Sequence, residues 1–172
     1  MTLSKEECRE IIARRVAQEF SEGDVITLGI GLPTEAANHL PPHLHVVFQS
    51  ENGLLGVGHR DLAAGENPKI TNAGGIAVTT KTGAAFFDSQ LSFAMIRGGH
   101  VDATVLGALQ VDQQGNLANW MVPGVFVPGM GGAMDLVVGA KRVIIAMEHT
   151  NKGQPRIVKR LSLIHISEPT RH

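Results

Sequence analysis

Four short aliphatic runs, separated by segments with helical spacing, constrain this chain more than any other feature. They lie at residues 25–30, 45–49, 101–109 and 142–147. Each is too short for a globular helix, and three are rich in Val and Ile, so each reads as a largely buried strand. Helix signals fill the intervals. Ser4 followed by Glu7 forms a capping box, and Ile12, Val16 and Phe20 continue at helical spacing until Gly23. A short helix is predicted over 34–40, closed by Pro41 and Pro42. Asp88 or Ser89 can cap a helix carrying Leu91, Phe93, Ala94 and Met95, which stops at Gly98 and Gly99. Residues 129–132 open another helix running through Val138. Residues 56–72 hold several Gly, Asn and Pro and read as mostly loop, and 113–116 as a turn. Strands alternating with helices predict an α/β sheet with helices packed on it.

Composition narrows the function classes. Lys plus Arg number 15 against 16 Asp plus Glu, so the charge balance offers no footprint for nucleic acid or an anionic membrane. No apolar run is long enough to span a bilayer. The start of the chain carries Glu6, Glu7 and Glu10 and lacks the apolar stretch of a signal peptide. The single Cys8 excludes an internal disulfide and suits a reducing compartment, so a cytoplasmic location is expected.

The last twelve residues, Leu161 to His172, stand apart. Their string resembles the conceptual translation of a sequencing-library adapter rather than a natural polar end. The expectation is a single domain over 1–160, incomplete at its C-terminus, followed by a non-native tail over 161–172. The stretch 156–160 itself reads as the start of a further strand.

Three places could carry chemistry. Glu51 follows the strand at 45–49 and precedes Asn52 and Gly53, at the sheet end where α/β folds bind ligands. Taken alone, the tripeptide suits a solvated loop glutamate better. Gly29 and Gly31, followed by Pro33 and Thr34, end another strand. They match neither the dinucleotide fingerprint nor a P-loop, and a tight strand-to-helix turn explains them equally well. Gly129, Gly131 and Gly132 precede a helix and could offer N–H donors to an oxyanion, or could serve only close packing. His39, His43 and His45 make a poor metal site, with no carboxylate or Cys ligand near them in sequence, and no metal is expected. Cys8 reads as a packing residue, and Trp120 as a core or interface anchor.

Taken together, these segments resemble the B subunits of family I coenzyme A transferases. The resemblance runs from about Ile11 to Arg160. It rests on Leu28-Gly29-Ile30-Gly31 with Pro33-Thr34, on Ser50-Glu51-Asn52-Gly53, and on Phe93-Ala94-Met95-Ile96-Arg97-Gly98-Gly99-His100. Leu106 to Val111, Gly115 to Trp120, Gly129 to Leu136, and Met147-Glu148-His149-Thr150 complete it. The resemblance implies an open, mostly parallel sheet flanked by helices, of the kind shared with ribose-phosphate isomerase. It implies that Glu51 is the nucleophile and that the backbone of Gly131, Gly132 and Ala133 binds the oxyanion. Asn52, Gly53, Gly29 and Gly31 are implied at the substrate, with Thr27 standing where the family often has a substrate-binding Asn. The implied reaction moves coenzyme A between a 3-oxoacid and another acid such as succinate. Coenzyme A enters as substrate, and no resident cofactor is needed. An A subunit, in a heterodimer or a tetramer of two A and two B chains, is the implied partner. A sugar-phosphate isomerase or deaminase, or a non-catalytic effector-binding subunit of the same fold, are the other readings.

Overall fold

The computed structural model describes residues 3–58, 69–121, 127 and 129–161. Helix α1 (Lys5–Ala17) opens on the expected capping box, with Glu7 N–H donating to Ser4 Oγ at 3.2 Å and Ser4 N–H to Glu7 Oε2 at 2.7 Å. The box holds the first turn, and Ala13, Val16 and Ala17 turn inward. Strand β1 (Val25–Leu28) leads through Gly31 into α2 (Leu32–Glu35) and a turn of 3₁₀ helix (Ala36–His39). Next come β2 (Val47–Ser50), β3 (Leu54–Val57), β4 (Thr80–Phe86), α3 (Ser89–Arg97) and β5 (Ala103–Leu106). Asp88 caps α3, its Oδ1 accepting from Leu91 N–H at 2.7 Å. The chain continues through β6 (Gln110–Asp112), β7 (Leu117–Ala118), α4 (Ala133–Gly139) and β8 (Arg142–Ile145). It closes with β9 (Thr150–Asn151), β10 (Gln154–Pro155) and β11 (Ile157–Val158).

Six strands form the main sheet in the order β4-β3-β2-β1-β5-β8. The four strands read from the sequence, β2, β1, β5 and β8, lie side by side and parallel. The antiparallel pair β3–β4 extends the β2 edge. This corrects the reading of 56–72 as mostly loop at its start, because β3 runs to Val57. Gly56 sits there at φ +84, and the pairing register shifts between Leu55 and Val57, so the strand is irregular where it looked loop-like. Residues 59–68 of that expected loop lie outside the described residues. The run expected over 101–109 is also divided. Strand β5 ends at Leu106, and Leu109 N–H donates to Ala118 O beside the small sheet β11-β6-β7.

Alternation along the parallel strands sends side chains to two layers. Ile26, Val105, Ala103 and Phe48 pack with Val16 and Phe20 under α1. Leu106 packs with Ile96, Val101, Ala133 and Leu136 under α3 and α4. Leu161 is buried, and its N–H donates to Asp112 Oδ2 at 3.1 Å, whereas residues 162–172 lie outside the described residues.

Candidate active site

Because β1, β2 and β5 are parallel, their carboxyl ends lie along one edge of the sheet, where α/β folds place ligands. Glu51 follows the last residue of β2 directly. A tight turn then reverses the chain into β3. Gly53 N–H donates to Ser50 O at 3.0 Å, and Gly53 O accepts from Phe87 N–H at 3.0 Å. Gly53 has φ +112, and a Cβ there would lie 1.9 Å from Phe87 O, so only glycine fits. Both neighbours of Glu51 anchor one loop. Ser50 Oγ accepts from Ala73 N–H at 2.9 Å, and Asn52 Nδ2 donates to Thr71 O at 2.8 Å. Asn72 Oδ1 accepts from the N–H groups of Gly74 and Ile76, both at 3.0 Å, which rounds off that loop.

The Glu51 carboxylate is half-buried and lies against the chain entering α4. A Cβ on Gly132 would fall 2.7 Å from Glu51 Oε2, 3.0 Å from its Cδ and 3.0 Å from Phe93 Cζ. Glycine alone leaves room for the carboxylate in this position. Among the described residues Glu51 has no ion-pair partner. Burial raises its pKa above the ordinary carboxylate value, and the negative charge of Asp135 adds to the effect. Asp135, on the first turn of α4, is held by Arg97 of α3, with Nη1 to Oδ1 at 3.0 Å. The Arg97 guanidinium also lies 5.9 Å from the centroid of the Phe93 ring.

The structure brings together only some of the expected residues. Glu51 and Gly132 meet, with Gly131 and Ala133 flanking the contact. Ala133 N–H donates to Met130 O at 3.1 Å, so it already has a partner. No hydrogen bond from the N–H of Gly131 or Gly132 is formed among the described residues. Gly29 is bound into the sheet, its N–H donating to Val105 O at 2.7 Å. Gly31 precedes α2 and accepts from Thr34 Oγ1 at 2.6 Å. Asn52 and Gly53 shape the turn, with their polar groups bonded to Thr71, Ser50 and Phe87.

Thr27 departs furthest from expectation. It is 2% exposed, and its hydroxyl donates to Gln49 Oε1 at 2.7 Å. Gln49 Nε2 in turn donates to Ser92 Oγ at 2.9 Å. This buried chain ties β1 to β2 and α3, leaving the Thr27 hydroxyl committed inside the protein.

Sequence reasoning assigned no role to Phe93, Arg97 or Asp135, although all three stand in the quoted segments. Their contacts depend on how α3 packs on α4, and nothing in linear spacing fixes that. It also saw no carboxylate near His45, which folding places 3.1 Å from Glu22 Oε1. Among the described residues no group of three or more His, Cys, Asp or Glu is arranged to hold a metal ion. A cavity of about 550 Å³ is lined by Leu40, Leu44, Phe48, Ser50, Ile76 and Lys81, among others. Glu51 is not among the lining residues, although its neighbour Ser50 and Asn72 of the adjoining loop are.

Comparison with known proteins agrees with this architecture. The coenzyme A transferase family model matches residues 9–172. The beta chain of acetate CoA-transferase from Escherichia coli strain K12 is 57% identical over 158 residues, covering 91% of this chain and 72% of that one. The B-type chain of succinyl-CoA:3-ketoacid coenzyme A transferase from Helicobacter pylori strain J99 is 53% identical over 156 residues, covering 90% and 75%. In fold, the chain is similar to the acyl-CoA transferase YdiF of Escherichia coli O157:H7 in its thioester complex with CoA, with a TM-score of 0.66 at 23% identity. That likeness covers 98% of this chain but only 31% of the longer one. The family match, the relatives above half identity and the sheet that carries Glu51 agree: this chain belongs to the coenzyme A transferase family.

Proposed function

We propose that this chain is the B-type subunit of a 3-oxoacid coenzyme A transferase and that Glu51 is its nucleophile. One observation carries this assignment: a half-buried carboxylate at the end of a central parallel strand, lacking an ion-pair partner among the described residues and pressed against glycine backbone. A carboxylate tied in a salt bridge would be a poorer nucleophile, whereas this one keeps its lone pairs available.

The reaction follows from that carboxylate. A Glu51 oxygen attacks the thioester carbonyl of the donor acyl-CoA, and the C–S bond breaks to release coenzyme A thiolate. The resulting mixed anhydride joins the acyl group to Glu51. The thiolate then attacks the Glu51 carbonyl carbon, expelling the donor's free carboxylate and leaving a glutamyl-CoA thioester. The acceptor acid repeats the two steps in reverse order and leaves as its CoA thioester. Thioester energy is retained throughout, so neither ATP nor a resident cofactor is required. Gly132 lies against the Glu51 carboxylate, whose carbon becomes a tetrahedral centre, and this supports the backbone N–H groups of Gly131 and Gly132 as the oxyanion donors.

The relatives' names support a 3-oxoacid paired with succinate or acetate. They also support a second, A-type chain as partner, since those relatives are themselves called beta or B subunits. A pairing of one A with one B chain, or of two of each, fits that description. The lone thiol Cys8 suits a reducing cytoplasm. The test is initial-rate kinetics with an A-type subunit, acetoacetyl-CoA and either succinate or acetate. Parallel double-reciprocal lines are expected, with the rate lost in Glu51→Gln. Intersecting lines together with an active Glu51→Gln enzyme would refute the assignment.

A further inference from the structure

We propose that Arg97 and Asp135 are positioning residues whose cross-helix ion pair holds Gly132 against the Glu51 carboxylate. The proposal rests on Glu51 being the nucleophile. It starts from a closed circuit of contacts. Glu51 lies against Gly132, and Gly132 lies against Phe93. The Phe93 ring faces the Arg97 guanidinium at 5.9 Å, and Arg97 binds Asp135 at 3.0 Å. Asp135 is three residues beyond Gly132, on the same side of the first turn of α4, and its charge is felt by Glu51. Phe93 and Arg97 are four residues apart on α3 and likewise share one side.

Ile96 and Phe93 of α3 pack in one apolar cluster with Ala133 and Leu136 of α4, and two further contacts set how closely the helices approach. At one end of α4, Gly139 lies so close to Ile96 that a Cβ would fall 2.2 Å from its carbonyl oxygen. At the other end the only polar link among the described residues is the Arg97–Asp135 pair. Releasing that pair frees the start of α4 to lift from Glu51 while its far end stays packed. An error of about 1 Å in the placement of reacting groups can cost 100-fold in rate.

The pair also gives a readout that a merely structural tie would not move. The charged groups on the elements around Glu51 are Asp135 from α4 together with Arg97 and the capping Asp88 from α3, and the loop 71–76 carries none. Asp135→Asn removes a negative charge near Glu51, so the Glu51 titration should move to lower pH. Arg97→Met leaves Asp135 uncompensated, so the titration should move to higher pH.

The experiment has two arms. One is a ¹³C carboxyl titration of Glu51 in the isolated chain, which requires no turnover. The other is the pH profile of kcat and KM in the two-subunit enzyme. Opposite displacements in the two variants are expected, with kcat reduced about tenfold or more and KM within about twofold. Arg97→Lys, which keeps the charge, should recover part of the rate. The pair is partly exposed and contributes little to stability, so the variants fold. Unchanged titrations, or displacements in the same direction with rate losses that follow melting temperature alone, would overturn the proposal. An active Glu51→Gln enzyme would instead remove the nucleophile assignment itself, whatever the titrations show.

Discussion

Gly132 and Glu51 are in direct contact: a methyl group on Gly132 would sit 2.7 Å from Glu51 Oε2. Gly132 itself has φ −80, an ordinary conformation for any residue, so nothing in the backbone demands glycine. The obstructing atoms are a carboxylate end and the edge of the Phe93 ring, both able to yield. Gly132→Ala should therefore fold with a melting temperature close to the parent's, while kcat falls roughly 100-fold as the carboxylate is displaced. Thermal unfolding and turnover on the same sample check both halves.

Gly139 makes the opposite case. Its close neighbours are the backbone O and C of Ile96 and the Cα of Arg97, none of which can rotate away. Gly139→Ala should cost about 2–3 kcal/mol by forcing α3 and α4 apart. Urea denaturation would show a lower midpoint, and a variant as stable as the parent would mean the helices are not packed this tightly.

Burial and Asp135 raise the Glu51 pKa, which gives a stability effect of known sign. A carboxyl with a raised folded-state pKa binds more protons when folded than when unfolded. Stability is therefore lost as pH rises from the unfolded pKa through the folded one. Glu51→Gln removes this penalty, so it should raise the melting temperature at neutral pH and have little effect near pH 4. For the same reason, parent activity should fall on the acid side at a higher pH than an unperturbed glutamate would give, because the nucleophile must be ionised. Calorimetry at the two pH values and a kcat profile test the two statements.

The Thr27–Gln49–Ser92 chain is buried, and its parts satisfy one another. Thr27→Val removes a donor and leaves Gln49 Oε1 without its hydroxyl partner, which should cost about 1–3 kcal/mol. If Thr27 is structural, the KM for the acceptor acid stays within error of the parent's. A raised KM at unchanged stability would return Thr27 to the substrate.

Much of the parallel sheet was legible because its strands are short aliphatic runs bounded by breakers, as at Ile26 and Val105, which are fully buried. The capping box of α1 and the Asp88 cap of α3 were readable for a related reason: both are local signals complete within four residues. The β3–β4 pair was not readable. Strand β4 is exposed along nearly its whole length and carries Gly83 at φ +86, so it shows neither alternation nor an apolar run. Glu51 was locatable from its place after a strand and from the resemblance. Of its surroundings, Gly132 was implied by the resemblance, but Phe93 and Asp135 were not, because they reach the site only through the packing of α3 on α4. The inward commitment of Thr27 was equally hidden, because a substitution for Asn within a substrate motif says nothing about where its side chain finds a partner. Here the partner was Gln49, across the β1–β2 pairing.

The central claim is that Glu51 carries coenzyme A during turnover. Incubating the chain and an A-type subunit with acetoacetyl-CoA, without acceptor acid, and then digesting and weighing the peptides tests it directly. The account predicts a coenzyme A adduct on the peptide containing Glu51, which disappears on adding succinate or acetate and is absent from Glu51→Gln. An unmodified Glu51 peptide from an enzyme turning over at full rate would contradict it.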